Sequence, residues 1–147
     1  MPRILHATDF SPASRAAFAK AISIAKAGKA ELVIAHVLAS ILPVVGDGAY
    51  VSPEVYTSME EAGRKYGQKH LDALVARAKG AGVRARGLLL EGPVHDRIVA
   101  AARKLGADMI VIGTHGRSGL ARFVLGSVAG RVVSHARCPV LTVRGAK

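Results

Sequence analysis

The sequence predicts an open parallel α/β sheet with helices on both faces, and three observations lead there. Five short apolar runs recur along the 147 residues, spaced to leave room for a helix between each pair. Strand and helix alternating in this way is the pattern of a sheet whose crossover connections are helical. The intervening stretches repeat their apolar residues at helical spacing, not in alternation. Finally, half of the chain is hydrophobic but only 4% is aromatic, so the core is drawn from Ala, Val, Ile and Leu. That palette suits buried parallel strands covered by Ala-rich helices. A single domain over residues 1–147 is the simplest reading of this length, with roughly two-thirds of the unfolded chain's surface to bury.

The elements follow in order. Arg3–Thr8 is the first strand, and Ser11-Pro12 starts a helix, a serine N-cap with proline at the first helical position. Phe18, Ala21, Ile22 and Ala25 give that helix one apolar face, and Gly28 closes it. Glu31–Leu38 is apolar nearly throughout, as an internal parallel strand is. Ala39–Pro53 is a loop by its Gly and Pro content, yet unusually apolar. Two readings of it stand: a loop packed on the surface, or a lid or partner contact beside the strand ends. A long helix runs from Pro53 to about Lys79, ended by Gly80 and Gly82. Gly63 and Gly67 weaken it by up to about 1 kcal/mol each relative to Ala.

In the third strand, Val83–Leu90, Arg84 and Arg86 alternate with smaller residues, which fits a sheet edge. Val94, Ile98, Ala102 and Leu105 mark the next helix, and Asp108–Gly113 is a second internal strand. Gly126-Ser127 then precedes the helical stripe Val128, Val132 and Ala136, and a short strand, Pro139–Val143, ends the sheet.

Several function classes are disfavoured at once. A net charge of +11 attracts polyanions in general. The basic residues are scattered, however, with no block of five or six and no stacking aromatics among them, so nucleic acid is not the expected partner. No apolar run reaches the ~18 residues of a membrane span, and the N-terminus lacks the apolar core of a signal peptide. A soluble cytoplasmic protein is expected, and the lone Cys138 suits a reducing compartment.

The chemistry concentrates between Met109 and Val133. Gly113 lies at the carboxyl end of the fourth strand, where open α/β sheets bind ligands. Glycine there adopts positive φ and lets a ligand approach the backbone. Gly126-Ser127 opens a helix whose free N–H groups and hydroxyl form a ready anion site. His115, Arg117 and Arg122 lie between and could supply charge to phosphates; the alternative is a merely glycine-rich connection. The spacing is neither a P-loop nor a Rossmann fingerprint; the turn after the first strand reads Ala7-Thr8-Asp9-Phe10-Ser11.

Gly113-x2-Gly116-x9-Gly126-Ser127 resembles the nucleotide-binding signature of the universal stress protein family, in its ATP-binding branch. The segments Ile4–Ser14, Ala35–Val37 and Cys138–Arg144 agree, and the similarity covers essentially the whole chain; Ala39–Tyr66 is the least family-like part. The resemblance implies a five-stranded parallel sheet in the order 3-2-1-4-5. It also implies site residues by position. Ala7, Thr8 and Asp9 would flank the nucleoside, with Asp9 bonded to base or ribose, and the Val37 backbone would meet the adenine. Ile112, Gly113, His115, Gly116 and Arg117 would wrap ribose and phosphates, and Gly126, Ser127 and Val128 would bind phosphate. A carboxylate is better tolerated at the nucleoside end than beside a triphosphate, so this division is physically sound. Ala7 departs from the proline often found at its position, without removing a polar contact.

The implied ligand is ATP, with Mg²⁺ arriving on the phosphates; haem, flavin and zinc are not expected. No protein base beside the phosphates is identifiable, so the expected function is a nucleotide-dependent stress-response switch or sensor with at most slow hydrolysis. The alternatives are a slow ATPase or phosphotransferase, a cyclic-AMP-binding member of the same fold, and a basic interaction module. The short last strand, Pro139–Arg144, would leave an open edge, and the resemblance implies a homodimer formed there. His6 and His36 are expected as satisfied core histidines, His95 and Asp96 as helix-start residues, and Cys138 as a small buried hydrophobe.

Overall fold

The computed structural model describes residues 1–39, 51–115 and 125–145. Five strands alternate with four helices: β1 (Arg3–Ala7), α1 (Pro12–Gly28), β2 (Glu31–Leu38), α2 (Pro53–Gly80), β3 (Ala85–Glu91), α3 (Val94–Leu105), β4 (Met109–Gly113), α4 (Ser127–His135) and β5 (Val140–Val143). All pairings are parallel, in the order β3-β2-β1-β4-β5. The expected α/β class and strand order hold. Residues 40–50, and with them most of the Ala39–Pro53 loop, lie outside the described residues, as do residues 116–124.

β2 and β4 are internal, as their apolar runs predict, and they flank β1. Successive side chains point to opposite faces, so the sheet has two cores. Ile4, Leu32, Ile34 and Val111 pack with Ala17, Phe18 and Ala21 of α1 and Leu71 and Ala78 of α2. Leu5, Val33 and Ile110 pack on the other face with Ile98 and Ala102 of α3 and Ala129 and Val132 of α4. Each fully buried Leu or Ile stabilises the fold by about 1.5–3 kcal/mol. Gly67 belongs to this packing: a Cβ there would stand 3.2 Å from His36 Cδ2 and Leu89 Cδ1, so its absence lets α2 close on the sheet.

The ends of the elements hold one correction. Ser11 caps α1 as expected, its Oγ accepting the Ser14 N–H at 3.2 Å. At the other end Gly28 is still helical, and Lys29 takes the left-handed turn with φ of 52°.

The arginine-bearing strand is an edge, as predicted. Arg86 Nε donates to Glu31 Oε1 at 2.9 Å and Arg3 Nε to Glu31 Oε2 at 3.1 Å. Burial would raise the Glu31 carboxyl, but the hydrogen bonds from Arg86 and Arg3 outweigh it and hold it below the usual range. At the opposite edge β5 pairs only with β4 and its residues are half-buried.

Candidate functional site

A cavity of about 350 Å³ opens at the carboxyl ends of β1, β2 and β4. It is the switch point of the sheet: β1 connects through α1 to β2 on one side, while β4 lies against its other side. Adjacent strand ends diverge there into helices on opposite faces, which leaves a crevice between them. The volume falls in the range of small-molecule sites, about 300–1,000 Å³. Ala7, Thr8 and Asp9 form one wall, Val37 stands at the end of β2, and Ile112, Gly113 and His115 follow β4. Gly126, Ser127 and Val128 close the cavity from the start of α4, and Val94 and Ile98 line it from α3. Ten of the twelve residues singled out in the sequence therefore meet around one space; Gly116 and Arg117 lie outside the described residues, as do Gly119 and Arg122.

The wall after β1 is held by its own side chains. Asp9 Oδ1 accepts the Ser11 N–H at 2.9 Å and the Ser14 hydroxyl at 2.7 Å, while the Asp9 N–H donates to Ser14 Oγ at 3.2 Å. Burial pushes the Asp9 carboxyl up, but these bonds from Ser11 and Ser14 pull it further down, below the ordinary aspartate value. The residue is therefore a carboxylate at neutral pH, fixed by the turn in the lining of the cavity.

The wall after β4 is built from backbone. The Gly126 N–H donates to the Thr114 carbonyl at 2.7 Å. A Cβ on Gly126 would stand 2.8 Å from that oxygen, and one on Gly113 would stand 3.3 Å from the carbonyl carbon and oxygen of Ala13. Neither glycine has positive φ, which among the described glycines falls on Gly82, Gly92 and Gly106. This corrects the expectation of positive φ: a side chain at Gly126 would collide with the Thr114 carbonyl, and one at Gly113 would crowd the Ala13 backbone. No side chain caps α4 at Gly126, so the first-turn N–H groups at Ser127, Val128 and Ala129 have no intrahelical acceptor. Nearby, Thr114 Oγ1 and His115 Nδ1 share a hydrogen bond of 3.0 Å. His115 Nε2 is buried with no partner among the described residues.

Sequence reasoning missed Ser14, His36 and Thr114, which also line the cavity. Ser14 carried a legible signal, since it follows Ser11 by one helical turn. His36 was expected to be a core histidine, but it is only partly buried, its Nδ1 donating to the Thr8 carbonyl at 2.8 Å. His6 is fully buried, and Nδ1 donates to the Val111 carbonyl at 3.0 Å. Its Nε2 has no partner among the described residues, so the histidine is core but not satisfied. Burial, opposed by the Val111 bond and the Asp9 charge, lowers its pKa to about 4. Asp96 sits in the first turn of α3 without capping it and pairs with His95 at 3.0 Å. Cys138 is half-buried and its thiol is pushed up by desolvation, which disfavours the reactive thiolate. Among the described residues no group of three or more His, Cys, Asp or Glu could hold a metal ion.

A doubly wound parallel sheet with a crevice at its switch point, lined by a helix N-terminus without a side-chain cap and by a fixed carboxylate, defines an open α/β domain of ligand-binding type. Residues 1–144 match the family model described as the universal stress protein family, and the chain belongs to that family. Universal stress protein MJ0531 of Methanocaldococcus jannaschii is 40% identical over 145 residues, covering 99% of this chain and 83% of its own length. The universal stress protein UspA of Lactobacillus plantarum superposes with a TM-score of 0.82 at 26% identity, covering 97% of each chain. A universal stress protein in complex with cAMP superposes at 0.71 with 27% identity, covering 99% of this chain and 98% of that one. An Arabidopsis thaliana family member with AMP bound superposes at 0.71 with 23% identity, covering 99% and 93%. At that identity it speaks to the fold alone.

Proposed function

We propose that this protein binds ATP and acts as a nucleotide-dependent switch or sensor in a stress response. The observation that carries the reading is that uncapped N–H groups at the start of α4 and the Asp9 carboxylate both belong to the lining of one cavity. The helix start favours phosphate through direct donors and through its dipole, which adds about 0.3–1 kcal/mol. Asp9 would repel a triphosphate, so the nucleoside belongs at the β1 and β2 end, with Thr8 and the Val37 backbone beside it. In the tautomer in which Thr114 Oγ1 donates to His115 Nδ1, Nε2 carries the ring proton and is a buried donor suited to a ligand oxygen. The family neighbour that holds cAMP supports the adenine class and favours a second reading, a cyclic nucleotide in place of ATP.

Hydrolysis is expected to be slow at most. Asp9 is tied up by two serines at the nucleoside end, and the titratable side chain described beside the α4 N-terminus, His115, already shares a hydrogen bond with Thr114. Turnover well below the ~1 s⁻¹ of kinases follows, and Mg²⁺ would enter on the phosphates. The half-buried β5 edge supports a homodimer formed through Pro139–Arg144, which light scattering at micromolar concentration tests; a stable monomer removes it. The ligand is tested by denaturing freshly purified protein and identifying what is released by chromatography and mass spectrometry. With no Trp and three Tyr, the native absorbance near 260 nm also reports occupancy. Retained ATP or ADP supports the reading, retained cAMP selects the second, and an empty protein that binds neither added ATP nor added cAMP rejects both.

A further inference from the structure

Two non-glycine residues among those described have positive φ, and only one of them is a helix cap. Lys29 ends α1, where the left-handed conformation is ordinary. Phe10, at φ of 64°, sits in the turn between β1 and α1, and a bulky residue there signals strain that its surroundings must hold in place. What holds it is an aromatic stack. The Phe10 ring centroid lies 4.3 Å from His36, 5.2 Å from His70 and 6.2 Å from Tyr66, the last in edge geometry. Tyr66 and His70 are themselves 4.1 Å apart. His36 belongs to β2 and the other two to α2, so the stack pins the turn from two elements outside it. On the backbone side, the Phe10 N–H donates to Thr8 Oγ1 at 3.0 Å, and the turn through Phe10 lets the Ser11 N–H reach Asp9 Oδ1 at 2.9 Å.

We propose that Phe10 is a positioning residue for the ligand: stacking of its ring on His36, His70 and Tyr66 forces the left-handed turn that aims the Asp9 carboxylate into the cavity. The proposal rests on the nucleotide reading for what Asp9 meets, but not for how Asp9 is held. Glycine and alanine separate the backbone from the ring. Glycine reaches positive φ without penalty, whereas alanine lacks both the ring and the conformational freedom.

The experiment measures ATP affinity by calorimetry, and hydrogen exchange of the Ser11 amide without nucleotide, in the full chain and in Phe10→Ala and Phe10→Gly. Circular dichroism melting confirms that each variant is folded. In Phe10→Ala the Ser11 amide loses protection and ATP affinity falls, each about tenfold, while Phe10→Gly stays within about threefold of the parent in both. Variants that behave alike, both unchanged or both equally impaired, overturn the proposal and leave Phe10 a packing residue. If the parent protein binds no adenine nucleotide the functional reading fails, and Ser11 exchange still decides the positioning claim.

Discussion

Of the three helices that start at the rim of the cavity, α1 and α4 treat their N-termini in opposite ways. At α1, Pro12 removes one donor, Ser11 Oγ takes the Ser14 N–H and Asp9 takes the Ser11 N–H. At α4, the cap is Gly126, which offers no side chain, and the first-turn donors keep no acceptor in the helix. A helix start closed by its own side chains is a structural joint; one left open is a place for an anion. The comparison teaches that the chain assigns polarity across the cavity locally, by the residue at each cap and not by net charge.

The largest expected effect comes from breaking the open side. In Gly126→Val the added carbon meets the Thr114 carbonyl, 2.8 Å from where Cβ would stand, so the loop and the helix start must separate. Overpacking of this kind costs about 1–3 kcal/mol, and ATP affinity is expected to fall by about 100-fold or more as the donors lose their positions. Calorimetry and thermal melting read both, and unchanged affinity would mean that phosphate does not rest on α4.

Next in size is a pH effect seated in β1, below the closed side. His6 titrates at 6.5 when unfolded and at about 4 when folded. The native state therefore refuses a proton that the unfolded state takes up, so stability is whole above pH 6.5 and declines as pH falls toward 4. The loss amounts to about 3 kcal/mol over that window. Urea unfolding at pH 7 and near pH 4 measures it, and His6→Gln should flatten the slope; an equal slope in the variant assigns the loss elsewhere. Asp9, held below its ordinary value, adds its own loss only at lower pH, as the carboxyl is finally protonated.

The smallest effects sharpen the contrast most. Ser11→Ala removes a helix cap and is expected to cost about 1 kcal/mol, lowering the melting temperature by about 2–4 °C, with ATP affinity nearly unaltered. Ser127→Ala removes a hydroxyl that caps nothing, so stability should hold while affinity falls about fivefold, the worth of one hydrogen bond. A pair of variants showing the reverse pattern would exchange the roles of the two helix starts.

Much of this was legible along the chain because the signals are local. Ser11-Pro12, the apolar spacing of Phe18 to Ala25 and the arginines at 84 and 86 each report their surroundings through immediate neighbours, and the elements fall where they indicate. The glycines at 113 and 126 were legible as requirements but not in their cause. Composition says that a side chain is forbidden, not whether ligand or protein occupies the space, and here the occupants are Ala13 and Thr114. His36 shows the same limit: its place in an apolar strand predicts burial, but only the position of β2 beside the crevice puts it on the cavity wall.

The sequence by itself determined the class of fold, its elements and the family, since periodicity, caps and the Gly-Ser motif are properties of short windows read in order. Tertiary structure brought Asp9 and the start of α4, more than a hundred residues apart in the chain, to the lining of one cavity. It also decided that Phe10 is held at positive φ by rings from β2 and α2. Contacts of that range depend on how strands are ordered in the sheet, and strand order arises from packing both faces at once, which no local window contains.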